Sequence, residues 1–260
     1  MSENENGNLW LELILQESAI KDIVIITGNI QDEYLDRKED KYLDLNTFLS
    51  NELIKNGFKC VAFWNNCTGL TFPSKKMANI FKRLSHSYHL DETSEEIIEE
   101  EDYDLDGLDL KDETDLENAY KNVNDLLEIY SIIREDYSIA LIFDWTDFWT
   151  TDPQRLRPEE QKFFLNFCTT INSQLFDSIN TSDYERPCSS LIFLSRQLGL
   201  IPPILYSNNS RAKIITIPLP DRKLRKQFMD RHYNFFKFNR KSPLANKINP
   251  NRSDYTDLFT

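Results

Sequence analysis

Five short runs of apolar, β-branched and aromatic residues recur along the chain and show little alternation between apolar and polar positions. Unbroken runs of this kind are typical of strands in a parallel sheet that helices cover on both faces. We therefore predict five buried strands, at Asp22–Thr27, Phe58–Trp64, Ser138–Phe143, Ser189–Ser195 and Lys213–Leu219.

Segments with helical periodicity separate these runs. Asp44 is placed to cap a helix from Leu45 to Lys55, and Pro158 suits the first turn of a later helix. The alternation of strand and helix predicts an α/β domain with a doubly wound five-stranded parallel sheet. We assign this domain to residues 1–240, and residues 241–260 to a polar tail or the start of a lid or second domain.

The negative charge of the chain is concentrated in one segment. The net charge is −13, and fifteen acidic residues with one lysine lie between Asp91 and Glu117. Because like charge at this density opposes packing, we predict a solvated, disordered acidic insertion at residues 91–115. A basic protein partner would complement such an insertion.

Composition also narrows the class of protein. The chain begins with polar and acidic residues, and no apolar run approaches the roughly 20 residues that a membrane span needs. The four cysteines form no CxxC pair, and the three histidines do not complete a zinc-binding pattern. We therefore expect a cytoplasmic protein without a membrane partner and without a metal site.

The segment after the first predicted strand differs from a nucleotide-binding loop. Such a loop needs GxxxxGK[ST], in which backbone N–H groups wrap the phosphates, the lysine neutralises them and the Ser or Thr holds Mg²⁺. Here the chain has GNIQDE at Gly28–Glu33, with one glycine and no lysine. Asp32 and Glu33 would repel a triphosphate. We therefore predict that this chain is not itself catalytic and carries no cofactor.

Charged residues at the ends of other strands are the candidate nucleotide or Mg²⁺ contacts. Asp144 follows four apolar residues, as in a Walker B motif, but the next residue is Trp145, which cannot act as a base. Arg196 lies where a γ-phosphate sensor would lie, and Arg211 could act as an arginine finger. The alternative for Asp144 is a cap on a strand-end loop. The candidates are Asp144, Asp147, Arg196 and Arg211.

A basic segment follows the last predicted strand. Asp221 is placed to cap a helix rich in Lys and Arg, and aromatic residues are interleaved with the basic ones just beyond it. This combination suits phosphate contacts and base stacking. The alternative is a solvated amphipathic helix whose aromatics are core. The candidate partner-binding residues are Arg222, Arg225, Lys226, Arg231 and Lys237.

The order of these motifs resembles the AAA+ core. The stretches IVIITGNIQDEY, AFWNNCTGL, ALIFDWTDFW and ITIPLPDR are similar to the N-terminal P-loop-like domain, without a Walker A motif, of bacterial and plastid AAA proteins of the Ycf46 type. This resemblance implies the sheet order 5-1-4-3-2. It also implies that an active ATPase domain works together with this one.

Three functions remain open at this point. The first is a non-catalytic AAA+-like domain that serves assembly, regulation or partner recruitment for an AAA+ ATPase domain, in cis or in trans, within a ring oligomer. The second is the N-terminal part of an active ATPase whose catalytic domain lies beyond residue 260, so that ATP and Mg²⁺ belong to the parent protein. The third is a nucleic-acid-binding module that uses the basic C-terminal helix.

Overall fold

The computed structural model of the chain describes residues 9–90, 123–172 and 188–232. The predicted acidic insertion at 91–115 and the predicted tail at 241–260 lie outside these residues. The chain divides into two compact units, one from Met1 to Ile217 and one from Pro218 to Thr260, and each is described separately below.

Helices and strands alternate through the described part of the first unit. Its strands are β1 (Ile23–Gly28), β2 (Glu33–Asp36), β3 (Lys41–Asp44), β4 (Cys60–Asn65), β5 (Gly69–Thr71), β6 (Ile139–Phe143), β7 (Ser190–Ser195) and β8 (Ala212–Ile217). Its helices are α1 (Leu9–Ser18), α2 (Leu45–Lys55), α3 (Lys75–Leu90), α4 (Val123–Asp136) and α5 (Pro158–Asn172). Short 3-10 turns occur at Thr146–Phe148, Leu198–Leu200 and Pro203–Leu205.

A six-stranded sheet in the order β5-β4-β6-β7-β1-β8 forms the centre of this unit. The five predicted strands correspond to β1, β4, β6, β7 and β8, and neighbouring members pair in parallel. Numbered as predicted, they lie in the order 5-1-4-3-2, which confirms the order implied by the AAA+ resemblance. The sixth strand, β5, pairs antiparallel with β4 at one edge and is too short to produce a periodic signal.

Two apolar cores cover the two faces of the sheet. Ile23 and Ile25 of β1 belong to the core that α3, α4 and α5 complete, whereas Val24 and Ile26 belong to the core under α1 and α2. All four side chains are fully buried. Because both faces are covered, four consecutive positions of the strand, Ile23 to Ile26, are apolar, which explains the lack of alternation in the sequence.

The predicted helix boundaries are confirmed by capping contacts. The Asp44 carboxylate accepts a hydrogen bond from the backbone N–H of Thr47 at 3.0 Å, at the start of α2. Gly57 follows the end of α2 with φ +98°, and Pro158 is the first residue of α5. Asp44 satisfies a backbone donor at the start of α2, Pro158 lacks the donor that the first turn of α5 would leave unpaired, and Gly57 tolerates the positive φ at which α2 ends.

A small hairpin between β1 and α2 was not predicted. Its strands β2 and β3 pair antiparallel, so that Glu33 lies opposite Asp44. The ring of Tyr34 lies 5.2 Å from that of Trp10 and 5.6 Å from that of Phe48, which anchors the hairpin to α1 and α2. Four-residue strands rich in charge carry little hydrophobic pattern, although the repeated Tyr-Leu-Asp of the two strands was a usable signal.

The described part of the second unit is α6 (Arg222–His232) and the turn before it. Asp221 caps this helix as predicted, because its carboxylate accepts a hydrogen bond from the backbone N–H of Leu224 at 2.7 Å. The predicted basic residues Arg222, Arg225, Lys226 and Arg231 lie on α6, and Lys237 lies outside the described residues. Among the described helices, none combines the length and apolar character needed to cross a membrane.

Candidate functional site at the carboxyl edge of the sheet

Ligands of open parallel sheets bind at the carboxyl ends of the strands. Three segments of this chain meet at that edge: the loop after β1, the loop after β6 and the residues after β7. The structure therefore brings together Asp144, Asp147 and Arg196 among the predicted site residues. It places Arg211 at the opposite edge, where β8 begins.

The loop after β1 uses its backbone donors within the fold. The N–H of Gly28 donates to the carbonyl of Arg196 at 3.2 Å, and the N–H of Asn29 donates to the carbonyl of Ile217 at 3.1 Å. Gly28 has φ +93°, and a Cβ there would lie 2.4 Å from the carbonyl oxygen of Ile217. The glycine is therefore required for close approach between β1 and β8, and these two amides are turned away from any phosphate.

Side chains close the same loop from the hairpin side. The Asp32 carboxylate accepts hydrogen bonds from the side-chain amide of Asn29 at 3.0 Å and from the backbone N–H of Glu33 at 2.9 Å. The Tyr34 hydroxyl donates to the carbonyl of Asn29. Burial, and then the negative charge of Asp32, raise the pKa of Tyr34 above its ordinary value, so the hydroxyl stays protonated and remains a donor.

The start of α2 is also closed to anions. In phosphate-binding folds, a helix N-terminus behind the glycine loop presents free N–H groups to the phosphate. Here the hairpin separates β1 from α2, and both carboxylate oxygens of Asp44 accept hydrogen bonds from Thr47. The chain's own carboxylate therefore occupies the position that an anion would take at this helix terminus.

Asp144 lies between β6 and α2. One carboxylate oxygen accepts a hydrogen bond from the side-chain amide of Asn46 at 2.8 Å, and the other accepts one from the backbone N–H of Trp145 at 2.7 Å. These contacts fit the interpretation of Asp144 as a strand-end cap. Within the described ranges, no group of three or more His, Cys, Asp or Glu side chains is arranged to hold a metal ion.

Asp147 ties the loop after β6 to the end of β7. Its side chain is 3% exposed and pairs with the Nε of Arg196 at 2.5 Å. The backbone N–H of Arg196 donates to the same carboxylate at 3.0 Å, and the Ser195 hydroxyl also donates to it. Thr146 adds a hydrogen bond from its hydroxyl to the carbonyl of Leu194 at 2.5 Å. The loop is therefore held to β7 by several polar contacts, of which the hydrogen bond from Thr146 to Leu194 is buried.

Trp145 and Phe148 point outward from this pinned loop, and we call the two rings the aromatic platform. Trp145 has φ +55° and is 49% exposed, and Phe148 is 64% exposed. The guanidinium carbon of Arg196 lies 5.5 Å from the centre of the Phe148 ring. Trp149, by contrast, packs inward, with its ring centre 5.3 Å from that of Phe143. Sequence reasoning did not predict the platform, since the aromatic run WTDFW does not reveal which rings reach solvent.

Arg211 belongs to a partly buried ionic cluster at the amino edge of the sheet. It pairs with Asp22, which also accepts a hydrogen bond from Arg134 of α4 at 2.7 Å. Arg211 donates further to the carbonyl of Ile171 at 2.7 Å and lines a cavity of about 390 Å³. The structure thus gives Arg211 a role in joining β1, α5 and β8, at the edge away from Asp144.

Comparison with known proteins identifies the family. Residues 9–218 match the family described as "AAA+ chaperone, N-terminal Rossmann-like domain". The match covers most of the chain, and the chain therefore belongs to this family. The matched segment ends at residue 218, the first residue of the second unit, and so lies almost entirely within the first unit. No curated protein matches the chain.

Two solved structures resemble the chain distantly. One is a chain of the HORMA:CdnC:Trip13 complex of E. coli MS115-1, with 10% identity and a TM-score of 0.42 over 98% of this chain and 64% of that chain. The other is Saccharomyces cerevisiae RIF2, with 8% identity and a TM-score of 0.37 over 99% of this chain and 70% of that chain. The chain thus spans less than two thirds of the first matched protein, and similarities at this level carry no argument about function.

Proposed function

We propose that this chain is a non-catalytic domain of an AAA+ chaperone that recruits or regulates protein partners and does not bind nucleotide. The observation that carries the proposal is the closed loop after β1. Its amides at Gly28 and Asn29 donate to carbonyls of neighbouring strands, and Asp32 and Glu33 stand where a phosphate-binding lysine would be needed.

Nucleotide binding at this edge would be opposed in two ways. Freeing the two amides would break backbone hydrogen bonds that each contribute about 0.5–1.5 kcal/mol. A triphosphate would then lie beside carboxylates instead of a lysine, and phosphoryl transfer depends mainly on positioning and on neutralising phosphate charge. The same edge presents solvent-exposed aromatic rings, which suit contact with a protein.

Isothermal titration calorimetry of the full chain with ATP, with and without Mg²⁺, tests this proposal. We expect no saturable heat at millimolar ATP. Micromolar, Mg²⁺-dependent binding of ATP would contradict the proposal if Asp144→Ala abolishes it. The control variant Glu128→Ala, at an exposed position of α4, should leave such binding unchanged. Circular dichroism of each variant verifies that the fold is intact.

We also propose that the domain works beside an AAA+ ATPase domain, in cis or in trans, within a ring oligomer. The family's description as an N-terminal domain supports the cis arrangement, in which ATP and Mg²⁺ belong to the parent protein. The cis arrangement would be supported if the parent protein hydrolyses ATP and if changing a GxxxxGK[ST] lysine outside residues 1–260 abolishes that activity. The narrower Ycf46-like relationship and a cytoplasmic location stay predictions.

A further inference from the structure

We infer that the carboxyl edge of the sheet docks a basic protein segment, for which the aromatic platform supplies the apolar anchors. This inference rests on the proposed function, because it names the kind of partner that a domain without nucleotide would recruit. It depends on three features of the edge: a pre-organised loop, an unfavourable backbone conformation at Trp145, and a concentration of carboxylates around the rings.

The platform is rigid before any partner arrives. Between its two rings, Thr146 and Asp147 are bonded to the end of β7, and the next residue, Trp149, is packed among the core aromatics. Three residues of this loop, Thr146, Asp147 and Trp149, are therefore held by the fold, while the side chains of Trp145 and Phe148 are exposed. A surface ordered in advance loses little conformational entropy on binding, which raises affinity.

The conformation of Trp145 is costly in the isolated domain. A bulky residue in the left-handed region (φ +55°, ψ +34°) is unfavourable, because its Cβ crowds the following carbonyl oxygen. The fold uses this conformation to present a half-exposed indole to solvent, next to a Phe that is 64% exposed. Arg and aromatic residues, above all Trp, are enriched at the energetic centres of protein interfaces.

The charges around the platform select a basic partner. Asp32, Glu33 and Asp44 are exposed at this edge, and Asp144 is partly exposed. Glu33 and Asp44 lie directly opposite each other in the hairpin, an arrangement of like charges that is unfavourable without a cation nearby.

These carboxylates and the rings lie at the same edge of the sheet. The hydrogen bond from Asn46 to Asp144 joins the start of α2, beside Asp44, to the residue before Trp145. The ends of β1 and β6 are two strand spacings apart, or about 10 Å. The positive charge of Arg196 is offset by its partner Asp147. A lysine or arginine of the partner can therefore stack on the Trp145 ring and remain near several carboxylates.

Binding of two synthetic peptides to the full chain tests this inference. One probe is an acetylated, amidated peptide of alternating leucine and arginine, and the other has glutamate at every arginine. We expect saturable binding of the arginine peptide, weakening as salt is raised, and at least about tenfold weaker binding of the glutamate peptide. Equal binding of both peptides, or binding of neither, would overturn the inference.

Substitutions separate the platform from general stability. Trp145→Gly removes the ring and relieves the left-handed strain, so we expect an unchanged or higher Tm together with about a tenfold or greater loss of arginine-peptide affinity. Phe148→Ala should weaken binding similarly, and Glu33→Gln by about two- to fivefold. Controls are Ile20→Ala, which truncates an apolar side chain that is 67% exposed before β1, and Glu128→Gln on α4.

Outcomes for the two proposals are distinguishable. Controls that weaken peptide binding as much as the platform variants would refute the docking surface. If ATP does not bind and the peptides do not discriminate, the docking surface fails while the proposed function stands. If ATP binds with micromolar affinity and Mg²⁺ dependence, the proposed function fails whatever the peptides do.

Discussion

Asp22 lies at the centre of the partly buried ionic cluster that joins four elements of the first unit. It immediately precedes β1 and pairs with Arg134 of α4 and with Arg211, the residue before β8. Arg211 continues the link to α5 through the carbonyl of Ile171. The side chain of Arg134 is 6% exposed and that of Arg211 is 22% exposed.

The substitution Asp22→Ala removes one carboxylate from two guanidinium groups. Arg134 would be left buried without a counter-charge, and breaking a buried pair in this way costs about 3–5 kcal/mol. Its Nη1 atom already has no hydrogen-bond partner in the described part of the chain. Arg211 can turn toward water, so its share is at most about 1 kcal/mol. We expect a total loss of about 4 kcal/mol, a large part of the roughly 5–15 kcal/mol that stabilises a typical domain.

Urea denaturation at pH 7, followed by far-UV circular dichroism, measures this loss. The double variant Asp22→Ala/Arg134→Leu should be more stable than Asp22→Ala alone, because it removes the uncompensated charge together with its partner. A loss below about 1 kcal/mol for Asp22→Ala would refute the reasoning. The reasoning would also be refuted if the separately measured losses for Asp22→Ala and Arg134→Leu add up to the loss of the double variant. Such additivity would show that the two charges do not interact.

Three further predictions follow from local geometry and charge. In thermal denaturation, Gly28→Ala should lower stability by at least about 2 kcal/mol more than Gly57→Ala. Both glycines have positive φ, but only a Cβ at Gly28 would meet the carbonyl oxygen of Ile217. Equal losses of stability would contradict this prediction. Hydrogen bonding, first from the backbone N–H of Lys38, holds the pKa of Asp36 below its ordinary value. The ionised carboxylate therefore stabilises the folded chain above about pH 4, and this contribution is lost as the pH falls through the lowered pKa. Asp36→Asn should therefore destabilise the chain at pH 7, with a difference that disappears in acid; a difference independent of pH would exclude this role. Because the net charge is −13, we expect that the chain does not change the electrophoretic mobility of single-stranded DNA at low salt. A salt-sensitive mobility shift that becomes stronger when the acidic insertion is deleted would instead support nucleic-acid binding through α6.

The sequence by itself determined the five longer strands of the central sheet and the absence of a phosphate-binding lysine, and the resemblance to the AAA+ core implied the strand order. β1, β6 and β7 were predicted to within about two residues, because burial on both faces leaves an unbroken apolar run that needs no tertiary information to recognise. The caps at Asp44 and Asp221 were also predictable from the local sequence, because a capping contact spans only three residues. The hairpin was missed because short charged strands leave almost no pattern.

Only the tertiary structure decided which distant residues meet. Asp147 contacts Arg196 because β6 and β7 are neighbours in the sheet, whereas Arg211 lies at the opposite edge because it precedes its strand instead of following it. The outward direction of Trp145 likewise depends on bonds from its neighbours to β7. A local sequence pattern indicates whether a segment can be buried. The pairing of side chains and the exposure of single rings depend instead on strand order and packing, because these bring together residues that are far apart in the chain.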